Sequence, residues 1–286
     1  MGLERKFANE IEAIHNYCIN YFKLPQAIRA NGTQKLFDSI QYSISSPGKR
    51  FRPLLSVLTA KALDGSLEQV LPFAASVEFI HTYSLIHDDL PCMDDDDVRR
   101  GRPSNHKVFG EDFALLAGDG LLTHAFECVA VNYFKQPEVG IALIALLAQA
   151  SGAMGMIGGQ ALDICHSHNP LTEQDLDLIH QLKTGRLIQL SVEGAAIACG
   201  ASDMKLSQLV DFSKNLGLAF QYADDIDDFD PQNPEMTNLA NVIGLESLQQ
   251  KLSEATSACL LALKNFSSSA DDLRYLAHFN MERVSS

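Results

Sequence analysis

Long apolar segments with a helical repeat occupy most of this chain. Near the N-terminus, Phe7, Ile11, Ile14, Cys18 and Phe22 recur at steps of three and four residues, the spacing that puts side chains on one face of an α-helix. Further long helices are predicted at 70–87, 113–134, 139–157, 175–199 and 206–228. Gly and Pro clusters separate them, and we find no strand-like alternation and no Gly-rich phosphate loop. We therefore predict an all-α fold: a single domain over residues 1–286, a bundle of about ten or more helices around a deep central cavity.

Composition and charge narrow the class of protein. Apolar residues make up 46% of the 286, enough for a large core, so a disordered chain is excluded. With 22 Lys and Arg against 36 Asp and Glu, the net charge is −14, which argues against a protein that binds nucleic acid by neutralising phosphates. The six cysteines are scattered without a C-x-x-C pair, as expected for reduced thiols in the cytoplasm. The longest apolar run, 139–148, is too short to cross a bilayer, so we expect a soluble protein with no membrane span.

A first acidic cluster directly follows a largely apolar stretch. Residues 88–97 hold six carboxylates, which repel one another unless a cation neutralises them. Mg²⁺ suits such a site because it prefers oxygen ligands and shares its coordination shell with substrate phosphates. Pro91 should end the preceding helix and let Asp88, Asp89 and Asp94 converge. A solvated acidic turn is the alternative, but emergence from the apolar residues 73–86 favours a metal site.

A second acidic cluster follows another apolar helix. Positions i, i+1 and i+4 of a helix lie on one side, so Asp224, Asp225 and Asp228 are predicted to present three carboxylates together. The D-D-x-x-D pattern is a weak signal alone and a strong one when paired with the first cluster. Both clusters fall near helix C-terminal ends, and we expect both to lie at the entrance of the same cavity.

Basic residues form the third group of candidates, at 48–53, 99–100 and 183–185. Arg and Lys in an acidic protein are well suited to hold an anion that metal ions do not reach; plain surface solvation is the alternative for each. Together, the acidic and basic groups describe two diphosphate sites, one bridged by metal ions and one bound by side-chain cations. That combination suits a reaction that joins two diphosphates, of which only one ionises.

Four motifs then appear in a familiar order: G-K-R-x-R-P, S-L-I-H-D-D-L-P-x-M-D-D-D-D-x-R-R-G, L-A-G-D and K-T-G. Through them, residues 48–244 resemble the trans-isoprenyl diphosphate synthases, most closely the bacterial farnesyl diphosphate synthases, which have the isoprenoid synthase fold. The resemblance implies isopentenyl diphosphate and an allylic diphosphate as substrates. It also implies two or three Mg²⁺ ions, with Mn²⁺ as a substitute, and a homodimer.

The resemblance also implies roles for matching residues. The metal ions would be held by Asp88, Asp89, Asp94, Asp224, Asp225 and Asp228. The allylic diphosphate would be contacted by Arg99 and Lys183, with Thr184 and Gln221 lining the reacting region. Isopentenyl diphosphate would be bound by Lys49, Arg52, His81 and Arg100. In the implied reaction the allylic diphosphate leaves first, the isopentenyl double bond attacks the allylic cation, and a proton is then lost.

Product length is predicted from the residues that precede the first motif. Tyr83, five residues before Asp88, and Ser84 occupy the family's chain-length positions. A bulky ring at Tyr83, together with the Pro91-Cys92 pair inside the motif, is the family feature that stops growth at C15. We therefore predict mainly farnesyl diphosphate, with a C20 geranylgeranyl diphosphate synthase as the alternative.

The resemblance fails after Asp230. Family members carry a longer loop with a lysine, whereas residues 231–240 are short and have none; Met236 aligns with that lysine, and Asn238 and Leu239 replace a Thr-Tyr pair. A weakly active or non-catalytic synthase subunit therefore stays an alternative. A class I terpene cyclase would not need the isopentenyl site, and a calcium-binding protein would need a D-x-D-x-D-G loop that is not found.

Overall fold

The computed structural model describes residues 2–166, 171–232 and 237–284. Within these ranges almost every element is helical, which confirms the predicted all-α fold. The α-helices are α1 (Leu3–Lys6), α2 (Ala8–Tyr21), α3 (Asn31–Ile44), α4 (Phe51–Ala62), α5 (Leu67–Asp88), α6 (Asn105–Phe109), α7 (Glu111–Asn132), α8 (Pro137–Ser151), α9 (Met156–His166), α10 (Glu173–His180), α11 (Arg186–Ala198), α12 (Asp203–Asp227), α13 (Leu239–Ile243), α14 (Leu245–Ala262) and α15 (Asp271–Arg283).

Shorter elements join some of these helices. Two 3₁₀ turns lie at Gln26–Ile28 and Ser268–Ala270, and a π-helical turn occupies Gln181–Gly185. Two short strands, β1 (Val98–Arg99) and β2 (Arg102–Pro103), pair in an antiparallel ribbon. The alternating apolar pattern of a strand is missing here because the ribbon is only two residues long on each side.

The chain divides into two compact units. The first comprises residues 1–57 and 71–144, and the second residues 58–70 and 145–286; the boundaries fall inside α4, α5 and α8.

The core of the first unit is built around α5. Phe73, Phe79 and Ile80 on this helix are completely buried, and the ring of Phe22 packs edge-on to Phe79 with centroids 4.9 Å apart. Each such side chain contributes about 1.5–3 kcal/mol by leaving water. The dense burial explains why α5 is apolar on nearly all sides, and it fixes the end of the helix at which the first acidic cluster begins.

The core of the second unit lies against α12. Leu176, Ala219, Tyr222, Leu239 and Leu248 belong to one buried cluster contributed by α10, α12, α13 and α14. This packing holds the C-terminal end of α12, where the second acidic cluster begins.

Two predicted helices are interrupted. The predicted helix over 139–157 breaks between α8 and α9, where a Cβ at Gly155 would stand 2.1 Å from the carbonyl oxygen of Ala150. The predicted helix over 175–199 contains the π-helical turn at Gln181–Gly185. An inserted residue of this kind leaves the apolar repeat nearly intact, so periodicity could not reveal it, and such turns are frequent at functional sites.

Two stretches have the length and hydropathy of membrane spans, Glu111–Asn132 and Pro137–Cys165. The second is not one helix, because α8 ends at Ser151 and α9 begins at Met156. The first carries Asp119 near its middle and buries seven of its residues in the protein. Core helices of soluble proteins share these properties, so the two stretches are weak evidence for a membrane protein.

Candidate active site

The first acidic cluster lies where α5 ends. After Asp88 the chain turns back, and the Asp94 backbone N–H donates to the Asp88 carbonyl oxygen at 2.8 Å. Asp95 takes a left-handed conformation, with φ of 53°, and its N–H donates to the Leu90 carbonyl at 3.2 Å. The helix therefore ends before Pro91, as predicted, and the turn returns the backbone of Asp94 to that of Asp88.

Asp89 is paired with an arginine from the ribbon. Its side chain is buried, and Arg99 donates to Asp89 Oδ1 from Nε at 2.8 Å and from Nη2 at 2.6 Å. Arg99 Nη2 also lies 2.6 Å from Asp96 Oδ2. Burial raises the pKa of Asp89, and Arg99 opposes that rise. Arg99, predicted to contact a diphosphate, and Asp89, predicted to hold a metal ion, thus form one ion pair.

A histidine joins two of the predicted isopentenyl-site arginines. Nε2 of His81 lies 3.3 Å from Arg52 Nη1 and 3.4 Å from Arg100 Nη2. Burial and the positive charges of these arginines lower the pKa of His81 well below its usual value, so the ring is neutral and its Nε2 accepts. A Cβ on Gly48 would stand 3.0 Å from the Arg100 guanidinium, so a larger residue there would have to displace it. Lys49 is the exposed neighbour of Gly48.

Arg50 has a different role from the other basic residues of its motif. It is buried with φ of 46°. Its guanidinium forms an ion pair with buried Glu78 of α5 and donates to the carbonyl oxygens of Ile44 and of Ser46, the latter at 2.9 Å. Arg50 therefore fixes the turn that presents Lys49 and Arg52. The signal that could have identified this pair is Glu78, an acid inside an otherwise apolar helix.

The second unit contains a polar cleft of about 250 Å³. Predicted site residues in its lining are Lys183, Thr184, Gln221, Asp225 and Asp228; residues that sequence reasoning missed are Asp163, His180 and Asn238. Carboxylates, a lysine and neutral polar groups thus line one opening, an arrangement that can hold a phosphate both directly and through a cation.

Lys183 reaches this cleft from the π-helical turn. Its Nζ lies 2.5 Å from Asp163 Oδ2 of α9. The two elements approach closely at Gly159, where a Cβ would stand 2.3 Å from the Lys183 backbone nitrogen. Asp163 follows Gly159 by four residues on the same face of α9, and this spacing is the signal that could have found it.

Asp225 is the most constrained acid of the second motif. It accepts from Gln221 Nε2 at 3.0 Å and from the Leu239 N–H at 3.2 Å, while Asn238 Nδ2 donates to its carbonyl oxygen at 2.7 Å. Burial raises the pKa of Asp225 to about 6 and lowers the pKa of neighbouring His180 to about 4. The Leu239 N–H therefore anchors the Asp225 carboxyl group, while the Asn238 side chain holds the Asp225 backbone. Met236 lies outside the described residues.

Asp224 faces the C-terminal helix instead. Arg283 Nη1 lies 2.6 Å from Asp224 Oδ1 and 3.3 Å from Asp227 Oδ2, and Arg283 Nη2 donates to the Phe220 carbonyl at 2.8 Å. Burial raises the pKa of Asp224, and Arg283 opposes the rise. The described lining of the cleft does not include Asp224, so the three predicted carboxylates do not all point into it.

Tyr83 and Ser84 lie on α5 ahead of the first motif. The Tyr83 ring is buried and stands edge-on to His87 with centroids 5.7 Å apart. Burial and the charge of Asp88 raise the pKa of Tyr83 to about 12. Ser84 Oγ donates to the His81 carbonyl at 3.0 Å. Of the two residues, Tyr83 has the bulky side chain.

Comparison with known proteins places this arrangement in a family. The Polyprenyl synthetase family model matches residues 33–239. A farnesyl diphosphate synthase of Micrococcus luteus is 42% identical over 261 residues, 87% of this chain and 89% of the relative. A geranylgeranyl diphosphate synthase of Cyanophora paradoxa is 42% identical over 193 residues, 67% of this chain and 64% of the relative. The structure of an FPP/GFPP synthase from Zymomonas mobilis superimposes with a TM-score of 0.88 at 34% identity, covering 97% of this chain and 98% of that one. The chain belongs to the polyprenyl synthetase family.

Proposed function

We propose that this protein is a Mg²⁺-dependent short-chain prenyl diphosphate synthase. It condenses isopentenyl diphosphate with dimethylallyl or geranyl diphosphate and releases mainly farnesyl diphosphate. The observation that carries the proposal is the presence of two chemically different anion sites: an arginine–histidine cluster in one unit and a cleft lined by both lysine and carboxylates in the other. The two types of site match one diphosphate bound by side chains alone and one bound with metal ions.

The donor set fits Mg²⁺. The turn after α5 returns the Asp94 backbone to Asp88, and Asp225 and Asp228 line the polar cleft of the second unit, so hard oxygen donors are available in each. We propose Asp88, Asp89, Asp94, Asp224, Asp225 and Asp228 as the ligands, of which Asp89 also accepts from Arg99 and Asp225 from Gln221. When bound, Mg²⁺ stabilises the negative charge of the leaving diphosphate. Two or three ions, and substitution by Mn²⁺, remain part of the proposal.

The side chains of the cleft bind and orient the allylic substrate. Lys183, already 2.5 Å from Asp163, is positioned to contact the departing diphosphate. Thr184 and Gln221 line the same opening and offer further hydrogen-bonding groups to the substrate. On the ribbon of the first unit, Arg99 is oriented by Asp89 and Asp96, and we propose it as a diphosphate-binding cation of that unit.

The arginine–histidine cluster binds isopentenyl diphosphate. Neutral His81 accepts from both Arg52 and Arg100 and so keeps their guanidinium groups near each other. Two neighbouring guanidinium groups are suited to binding one diphosphate. Lys49 is exposed beside them and can complete the site. No metal ion is needed there, so this diphosphate is not activated to leave.

Product length is set by Tyr83, with Ser84 beside it. The buried ring on the helix that leads to Asp88 supports a floor that stops growth at C15. The likeness to a geranylgeranyl diphosphate synthase, at the same identity as to the farnesyl enzyme, supports C20 as the second candidate product.

Domain organisation, quaternary structure and location complete the proposal. The chain acts as one polyprenyl synthase domain over residues 1–286, in the cytoplasm, and the deep central cavity stays a prediction.

Exposed apolar residues on α7 and α8 support a homodimer formed through these helices. They are Leu115, Leu116, Val131 and Ile141.

The proposal is tested by substrate binding and turnover in the same preparation. Isopentenyl diphosphate binding by calorimetry should weaken in Arg52→Gln, while Asp94→Asn should bind isopentenyl diphosphate normally and lose Mg²⁺-dependent product formation. A non-catalytic subunit would bind but give no product even as the unaltered chain. A terpene cyclase would consume an allylic diphosphate without isopentenyl diphosphate.

A further inference from the structure

We propose that Asp95, Asp97 and His106 form a separate site for a divalent transition-metal ion of the Zn²⁺ type. One ring nitrogen of His106 and one carboxylate oxygen from each aspartate lie within 4.8 Å of one another. None of the six carboxylates assigned above to Mg²⁺ belongs to this group. The presence of an imidazole also separates it from an all-oxygen Mg²⁺ site.

His106 is the observation that distinguishes this cluster from a solvated acidic turn. The residue is only 6% exposed. Nδ1 lies 3.2 Å from Ser104 Oγ, while Nε2 is buried without a hydrogen-bond partner among the described residues. A buried ring nitrogen normally finds a partner. Because Ser104 Oγ is the neighbour of Nδ1, we assign Nε2 as the ring nitrogen that binds the ion.

The backbone holds the three residues at one end of the ribbon. The Ser104 N–H donates to the Asp97 carbonyl at 2.9 Å, directly beside the strand pairing of β1 with β2. Asn105, which precedes His106, is itself buried and bonded to Ser39 Oγ at 2.8 Å and to the Ser39 carbonyl at 2.9 Å. The histidine is thus fixed to α3, and Asp97 is held close to it by the ribbon.

Lys107 provides a cation that competes for the same carboxylates. Its Nζ lies 2.6 Å from Asp97 Oδ1, and its side chain is 42% exposed. One lysine does not balance two carboxylates, and an exposed ammonium can move into water when an ion binds. The lysine also makes the proposal testable, because removing it should favour a bound metal ion and disfavour a merely solvated turn.

The ligand set indicates the type of ion. Imidazole suits Zn²⁺ and similar metals, and Zn²⁺ accepts both histidine nitrogen and carboxylate oxygen, with a water completing four ligands. An ion at this position would clamp the base of the ribbon that carries Arg99 and Arg100. The site does not depend on the proposed synthase activity, since it uses no residue assigned to that reaction.

The test is a Zn²⁺ titration of the full chain by calorimetry, in excess Mg²⁺ and in a Cys92→Ser, Cys165→Ser background that removes the exposed thiols. One Zn²⁺ should bind, and Asp97→Asn and His106→Gln should each weaken it by roughly tenfold or more. Lys107→Gln should bind more tightly, while His278→Gln, a change at an exposed histidine of α15, should have no effect.

Co²⁺ supplies a second readout. Its visible absorption should show mixed nitrogen and oxygen ligands in the parent protein and should lose the nitrogen contribution in His106→Gln. Asp97 is 71% exposed, so Asp97→Asn keeps the test decisive even if His106→Gln fails to fold. Failure of the folded parent to bind Zn²⁺, or equal binding by the parent and Asp97→Asn, would overturn the site. Neither result would bear on Mg²⁺-dependent synthesis.

Discussion

Arg283 Nη1 lies 2.6 Å from Oδ1 of Asp224, so the last turn of the C-terminal helix places a cation on the first acid of the second motif. The same guanidinium also donates to the Phe220 carbonyl of α12 at 2.8 Å. Arg283 therefore does two things at once: it fastens α15 to α12, and it competes with any metal ion for Asp224.

Replacing Arg283 by Gln should separate these two effects. The Mg²⁺ concentration for half-maximal turnover should fall several-fold, because a competing cation is removed. The free energy of unfolding should fall by about 1–2 kcal/mol, because hydrogen bonds to α12 are lost. Arg274→Gln is the matched control: it lies on the same helix and pairs with Asp271 at 2.5 Å. An Arg283→Gln enzyme that needs as much Mg²⁺ as the parent, or more, would contradict competition at Asp224.

The buried pair of Glu78 and Arg50 should be important for stability. The two side chains are 1% and 2% exposed, and removing one partner leaves an uncompensated charge in the interior. Glu78→Gln should therefore lower the free energy of unfolding by about 3–5 kcal/mol, measured by urea denaturation. Asp271→Asn removes an exposed partner of Arg274 and should cost less than about 1 kcal/mol. Equal losses in the two variants would refute the role given to the buried pair.

His81 should make stability depend on pH. Its pKa is lowered well below the usual 6.5, so below that pH the unfolded chain takes up a proton that the folded protein does not. The contribution of His81 to the free energy of unfolding is therefore complete above about pH 6.5. It falls as the pH is lowered, by at most about 1.4 kcal/mol per pH unit. Urea unfolding between about pH 7.5 and about pH 5 should show a smaller pH dependence in His81→Gln. Comparing the two proteins cancels the contributions of buried acids such as Asp89. Identical pH dependence would mean that folding does not change the pKa of His81.

Tyr83 should control product length through its ring. Tyr83→Ala should give products longer than C15, since it removes the bulk from the helix that precedes Asp88. Tyr83→Phe is the matched control, because the Tyr83 hydroxyl is buried without a hydrogen-bond partner among the described residues; it should keep the product unchanged. Product sizing by chromatography distinguishes the two variants, and unchanged C15 from Tyr83→Ala would place the floor elsewhere.

Much of the fold and the candidate site was predictable from sequence because each signal was local. The end of α5 at Asp88 follows from the apolar stretch before it and from Pro91 after it. The end of α12 at Asp227 likewise follows an apolar stretch and precedes Pro231. The interruption at Gln181–Gly185 could not be predicted, since a π-helical turn preserves the neighbouring apolar spacing.

The partners that sequence reasoning missed depend on tertiary packing. Asp163 meets Lys183 only because Gly159 allows α9 to approach the π-helical turn. Arg283 reaches Asp224 across 59 positions of sequence, and no local pattern indicates that contact. The same holds for Asn238, whose side chain fixes the backbone of Asp225 from beyond the undescribed residues 233–236.

Synthase activity is measured by incubating the purified protein with Mg²⁺, labelled isopentenyl diphosphate and either dimethylallyl or geranyl diphosphate, and then sizing the products. We expect a C15 diphosphate from both primers, and no product from Asp88→Ala under the same conditions. A folded protein that binds isopentenyl diphosphate yet forms no product from either primer would contradict this expectation.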